Sequence, residues 1–152
     1  MKNTEMSELD KWLEKLDALP LECDGMSRVI SHLLSKQNIE HEISVGSLQC
    51  QSGKIPLHYW ITLGNGTLLD LRARMWLGNN DGIPHGLIKQ GEYNYIKKGS
   101  INTINDDFLF MILSERKPAD FQPIPKLDFE MKAANLPSQP KTELTKRITV
   151  KP

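Results

Sequence analysis

Three side chains whose types suit acyl chemistry fall in one order along this chain: Cys23, His58 and Asp70. A thiol attacks as its thiolate, an imidazole takes up and returns the proton, and a carboxylate behind the imidazole fixes its tautomer. In that arrangement the reaction is covalent, with a thioester formed on the cysteine from an amide or acyl substrate. Cys23 lies just past Pro20 and directly before a run of helical periodicity, so it is expected to open a helix. The free N–H groups and dipole of a helix start favour both a thiolate and a developing oxyanion. The plain alternative is a small buried core cysteine.

His58 and Asp70 lie on the two arms of one expected β-hairpin, which runs from about Pro56 to Arg72 through Gly64-Asn65-Gly66. Side chains alternate faces along a strand, so the length of the loop decides which residues meet. A three-residue loop pairs Leu63 with Thr67, sets Trp60 opposite Asp70 and makes His58 and Asp70 diagonal neighbours on one face. Diagonal positions are about 7–8 Å apart at the backbone, within reach of longer side chains. A two-residue Asn-Gly turn gives the opposite parity and separates them. Glycine on both sides of Asn65 favours the three-residue loop, which needs a left-handed position. Asp70 is flanked by Leu68, Leu69 and Leu71, so it is expected to be desolvated and to need a partner: His58, or in a purely structural ion pair Arg72 or Arg74.

Around this group, Trp60 is placed to wall the site, and Arg72 and His85 are candidate substrate-binding residues, the latter in the Pro84-His85-Gly86 loop. Local acids and a plain turn are the competing uses of those two side chains. Cys50 reads as a structural or spare thiol, His32 as a helix histidine and His41 as the start of a strand. No spacing typical of a zinc site or a phosphate loop occurs, so neither a metal nor a cofactor is expected.

The elements that must position these residues follow from periodicity and punctuation. Ser7-Glu8-Leu9-Asp10 resembles a capping box ahead of Trp12, Leu13, Leu16 and Leu19, a first helix ending near Pro20. A second helix is expected from about Cys23 to Gln37, with Met26, Val29, Ile30, Leu33 and Leu34 as its apolar stripe and Glu22 or Asp24 as its cap. A strand over Glu40–Leu48, the hairpin, a loop over Gly78–Gly86, a strand at Tyr93–Ile96 and, after an Asn105-Asp106-Asp107 cap, a short buried helix over Phe108–Ser114 complete the pattern. Neighbouring strands joined by short turns imply an antiparallel sheet, and the class is α+β with the cysteine-bearing helix packed on one sheet face.

With 152 residues the chain is long enough for one domain with a real core, placed here at residues 1–117. Residues 118–152 hold six of the nine prolines with many Lys and Thr, and are expected to form an extended or disordered arm rather than a second core. Nineteen basic and nineteen acidic residues cancel, which argues against a broad nucleic-acid interface. The absence of a signal-like or membrane-spanning apolar run, and the two cysteines, point to a cytoplasmic protein with free thiols and no membrane partner.

The segment from Leu21 to Leu71 resembles the transglutaminase-like branch of the papain-like superfamily. Cys23 opens a helix there, His58-Tyr59-Trp60 is similar to the family's His-x-Trp, and Leu69-Asp70 resembles its apolar-Asp step. Ser27 stands where a small residue follows the nucleophile. Arylamine N-acetyltransferases and bacterial toxin deamidases share the arrangement. The resemblance implies a papain/transglutaminase-like core and a thioester resolved by water or by an amine. Peptidase, amidase, deamidase and transferase all remain open, with a protein, a peptide or a small amide or acyl compound as substrate. A non-catalytic binding or assembly protein on the same fold, contacting a partner through residues 118–152, is the alternative expectation.

Overall fold

The computed structural model describes residues 8–102 and 106–123. They form an α+β fold with the order α1 (Glu8–Asp17), α2 (Cys23–Lys36), β1 (His41–Cys50), β2 (Gly53–Leu63), β3 (Leu68–Asp70), α3 (Ala73–Leu77), β4 (Gly86–Ile88), β5 (Asn94–Ile101) and α4 (Asp107–Ser114). Helix α1 is amphipathic, with Leu9, Trp12 and Leu16 buried at positions i, i+3 and i+7 and charged residues outward. Helix α2 is buried on nearly every side, including Ser27, Ser31 and His32, and packs on β2, β1 and α4. Its polar side chains find partners: His32 Nε2 lies 2.7 Å from Asp107 Oδ1, and Ser31 Oγ lies 2.7 Å from His41 Nε2.

The five described strands form one antiparallel sheet in the order β4-β3-β2-β1-β5. Alternation along the strands sends Ile43, Ile61, Leu63, Leu69 and Leu87 to one face, where they form a core with α1, α2 and α4. It sends Leu48, Trp60, Leu68 and Ile88 to the other face, where Ala73, Ile83 and Tyr93 close a second core. His58 and Asp70 share parity with Trp60 and Leu68.

The hairpin register decides the site. Ile61 pairs with Leu69 and Thr62 with Leu68, and the Leu63 N–H donates to the Thr67 carbonyl at 2.8 Å. Gly64-Asn65-Gly66 is therefore a three-residue loop, with Gly66 at φ +93, a conformation that side chains rarely adopt. Asn65 Oδ1 accepts the Thr67 N–H and stiffens the turn.

Two short elements were not in the sequence-based expectation. Helix α3 and strand β4 bracket the loop expected at residues 78–86, and β4 adds an edge to the sheet. After α4 a single turn at Pro118–Asp120 brings Phe121 into the first core, edge-on to Phe110 at 5.9 Å. The remainder of the expected arm, residues 124–152, lies outside the described residues. No helix among the described residues is long and apolar enough to cross a membrane.

Candidate functional site

Cys23 is the first residue of α2, after Glu22 in an extended conformation. The first helical hydrogen bond runs from the Met26 N–H to the Glu22 carbonyl, which leaves the N–H groups of Cys23, Asp24 and Gly25 without helical acceptors. Asp24 Oδ1 accepts the Gly25 N–H at 2.7 Å, so the carboxylate of that first turn is turned onto its own backbone. The thiol is free and about nine-tenths buried.

His58 is fully buried on β2, just after a register shift in which three steps along β2 oppose two along β1. Such bulges re-aim side chains and are common beside functional sites. Opposite His58 is Gly46, where an added Cβ would sit 1.9 Å from the Ile96 carbonyl oxygen on β5. Only glycine permits that approach of β5 to β1.

His58 Nε2 lies 2.8 Å from Asp70 Oδ2. A carboxylate only accepts, so Nε2 carries the proton of this bond and Nδ1 is the nitrogen left for the thiol. Nδ1 is buried and makes no complete hydrogen bond, while the Cys23 side chain is near enough to act on the ring by hydrogen bonding and by charge. Burial pushes the His58 pKa down. The hydrogen bond and charge of Asp70 oppose it, those of Cys23 add to them, and together they push it up to about 9.

Asp70 is 2% exposed and accepts four hydrogen bonds. Oδ1 takes the backbone N–H groups of Arg72 at 2.9 Å and Ala73 at 3.2 Å, where the chain leaves β3 and starts α3. Oδ2 takes His58 and the Tyr95 hydroxyl, the latter at 2.7 Å. Burial would raise the carboxyl pKa, but His58, the Arg72 N–H and Tyr95 outweigh it and hold it below the usual range.

The other sequence-derived candidates separate from this group in different ways. Trp60 is buried between His58, with ring centroids 6.1 Å apart, and Tyr95, at 4.8 Å, so it walls the site from behind. Arg72 does not face a substrate. Its Nε donates to the Leu21 carbonyl, and its two terminal nitrogens donate to Asp17 Oδ1 and to the carbonyls of Asp17, Leu19 and Leu71. All five N–H donors of the guanidinium are committed. They tie the linker that leads into Cys23 to the end of β3. Nor does His85 stand beside the thiol. It lies 3.4 Å from Asp17 Oδ2 and lines a separate cavity of about 370 Å³ with Leu9, Leu13 and Leu71. Burial lowers its pKa, against the charge of Asp17.

Tyr95 was read from the sequence only as part of a strand. Nothing local marks it, because its partner is 25 residues away in the chain and three strands away in the sheet. No group of three or more His, Cys, Asp or Glu side chains among the described residues is placed to hold a metal ion. In comparisons with family models, curated proteins and solved structures, nothing matches this chain, so the reading of its site stands on the site's own geometry.

Proposed function

We propose that this chain is a thiol-dependent hydrolase or acyltransferase with a papain/transglutaminase-like core, acting on an amide or acyl group through Cys23, His58 and Asp70. The observation that carries the reading is the 2.8 Å bond from His58 Nε2 to a buried Asp70, with Nδ1 left over and the side chain of Cys23, at the start of a helix, close enough to act on the same ring.

The Cys23 thiolate attacks the substrate carbonyl carbon, a C–S bond forms and the carbonyl electron pair moves onto oxygen. The N–H groups at the start of α2 are suited to hold that oxyanion. The pair returns, the bond to the leaving group breaks, and the His58 imidazolium gives its proton to the departing nitrogen or oxygen. Water or an amine then attacks the thioester, neutral His58 takes its proton, and the thiolate departs. Asp70 remains a carboxylate throughout and keeps the proton on Nε2. These steps use the chain's own groups and the substrate. The free thiols suit a reducing cytoplasm.

The test is labelling of the native protein with a thiol-directed electrophile, followed by peptide mass mapping. Cys23 is expected to react first, and Cys23→Ala to abolish turnover of an acyl or amide substrate while the fold persists. Faster labelling of Cys50 than of Cys23 would overturn the reading. A second reading, a binding or assembly protein, draws on the exposed Phe108, Met111 and Ile112 of α4, close in sequence to where residues 118–152 begin. Full biological function in Cys23→Ser would favour it.

A further inference from the structure

We propose that Tyr95 is a positioning residue for this site: its hydroxyl fixes the Asp70 carboxylate from β5 and, through it, orients the His58 ring. The chemistry of this inference rests on the thiol-enzyme reading, whereas its geometry does not.

The two backbone N–H groups on Oδ1 anchor one carboxylate oxygen. Rotation about the Cβ–Cγ bond carries both oxygens together, so the second oxygen, which holds His58, keeps its place only while the carboxylate plane does. The Tyr95 hydroxyl, 2.7 Å from that same oxygen, holds the plane at the end away from the backbone donors. Its own position is held by packing, since the Tyr95 ring lies against Trp60, which in turn neighbours His58.

The bond also crosses the sheet. Between β5 and β3 lie β1 and β2, and three strand spacings of about 4.8 Å put flat strands roughly 14 Å apart. Tyr95 closes that span by lying across Trp60. The angle of the imidazole therefore depends on the pairing of β5 with β1, two elements that contribute none of the three reacting residues.

The titratable groups facing Asp70 are His58 and Tyr95, with the charge of His85 also felt there. Beyond them stand Cys23 beside His58, and Tyr93 and Cys50 around Tyr95. The Arg72 guanidinium is turned to Asp17. Burial and the charge of Asp70 push the Tyr95 pKa well above its ordinary value, so the hydroxyl remains a donor at every working pH.

The test is Tyr95→Phe, which keeps the ring on Trp60. The readouts are the Asp70 carboxyl titration followed by carbon NMR and the pH dependence of Cys23 alkylation by iodoacetamide. The carboxyl is expected to titrate at higher pH, and alkylation at pH 6 to slow about tenfold, the scale of one hydrogen bond to a charged group. Tyr59→Phe, the same change on the opposite sheet face, should move neither. Superimposable Asp70 titrations in wild type and Tyr95→Phe would overturn the proposal. If Tyr95→Phe fails to fold, 3-fluorotyrosine at position 95, a stronger donor, should shift the Asp70 titration downward, and an unmoved titration there overturns it too. A shifted Asp70 titration beside an inert Cys23 would support the positioning role and count against the thiol-enzyme reading instead.

Discussion

Asp70→Asn probes the link between charge, tautomer and reactivity with little change of shape. Asn must keep its oxygen toward the backbone N–H groups of Arg72 and Ala73, because turning the amide nitrogen there would set donors against donors. The amide nitrogen then faces His58 Nε2 and Tyr95, where the carboxylate oxygen had been. To accept from it, Nε2 must lose its proton, and the neutral ring carries hydrogen on Nδ1, the nitrogen left for Cys23. Burial, the largest influence on His58, is left without the charge that overcame it. The ring should titrate at or below its ordinary 6.5 instead of about 9, a change of about 3 kcal/mol at 1.36 kcal/mol per unit. Nitrogen–proton NMR across pH reads both the titration and the tautomer. Acyl-transfer activity should fall about 10³–10⁴-fold, the scale of a wrong-tautomer defect. An Asp70→Asn protein whose His58 still titrates near 9, or keeps its proton on Nε2 at neutral pH, would refute this reasoning.

Other consequences follow from the same contacts. Because the His58 pKa is raised on folding, its stabilisation is complete below about pH 6.5 and is lost as pH rises through 9. A thermal-unfolding series from pH 6 to 9.5 should show it as a loss of at most about 3 kcal/mol, and a flat profile would count against a charged His58. Arg72→Lys should cost about 3 kcal/mol in urea denaturation, because an ammonium cannot reproduce five donors in a fixed fork; wild-type stability would contradict the stapling role. Gly46→Ala forces β5 away from β1 and should cost about 1–3 kcal/mol by overpacking, with Asp70 titration shifting upward as Tyr95 moves; an unchanged midpoint would mean the strands adapt freely.

What the sequence disclosed was local. Helical spacing placed α1 and α2 to within about three residues, because each buries its own periodic stripe, whereas α4, expected as a buried helix, buries only Phe110 and Ser114 and leaves Phe108, Met111 and Ile112 exposed. The glycines around Asn65 indicated the loop length, and strand parity then brought His58 and Asp70 together. What it concealed was non-local. The three residues of β4 are too few to show a period. Arg72 has the look of an anion-binding residue, and only the path of the Asp17–Leu21 linker reveals that backbone carbonyls consume its donors. Tyr95 reaches its partner across the width of one sheet face, which no alternation pattern along one strand encodes.

The three consecutive residues Asp70, Leu71 and Arg72 grip the site from both sides. Asp70 holds the imidazole, and Arg72 holds the linker that delivers the thiol. The spacing of the two reacting groups is thus measured against a ruler two peptide bonds long, rather than across the width of the fold. The corresponding weakness is that this ruler has no spare: a local opening of β3 releases base and nucleophile together. Amide exchange at the Arg72 and Ala73 N–H groups, which Asp70 protects, should therefore mark the loss of the whole site in a single event.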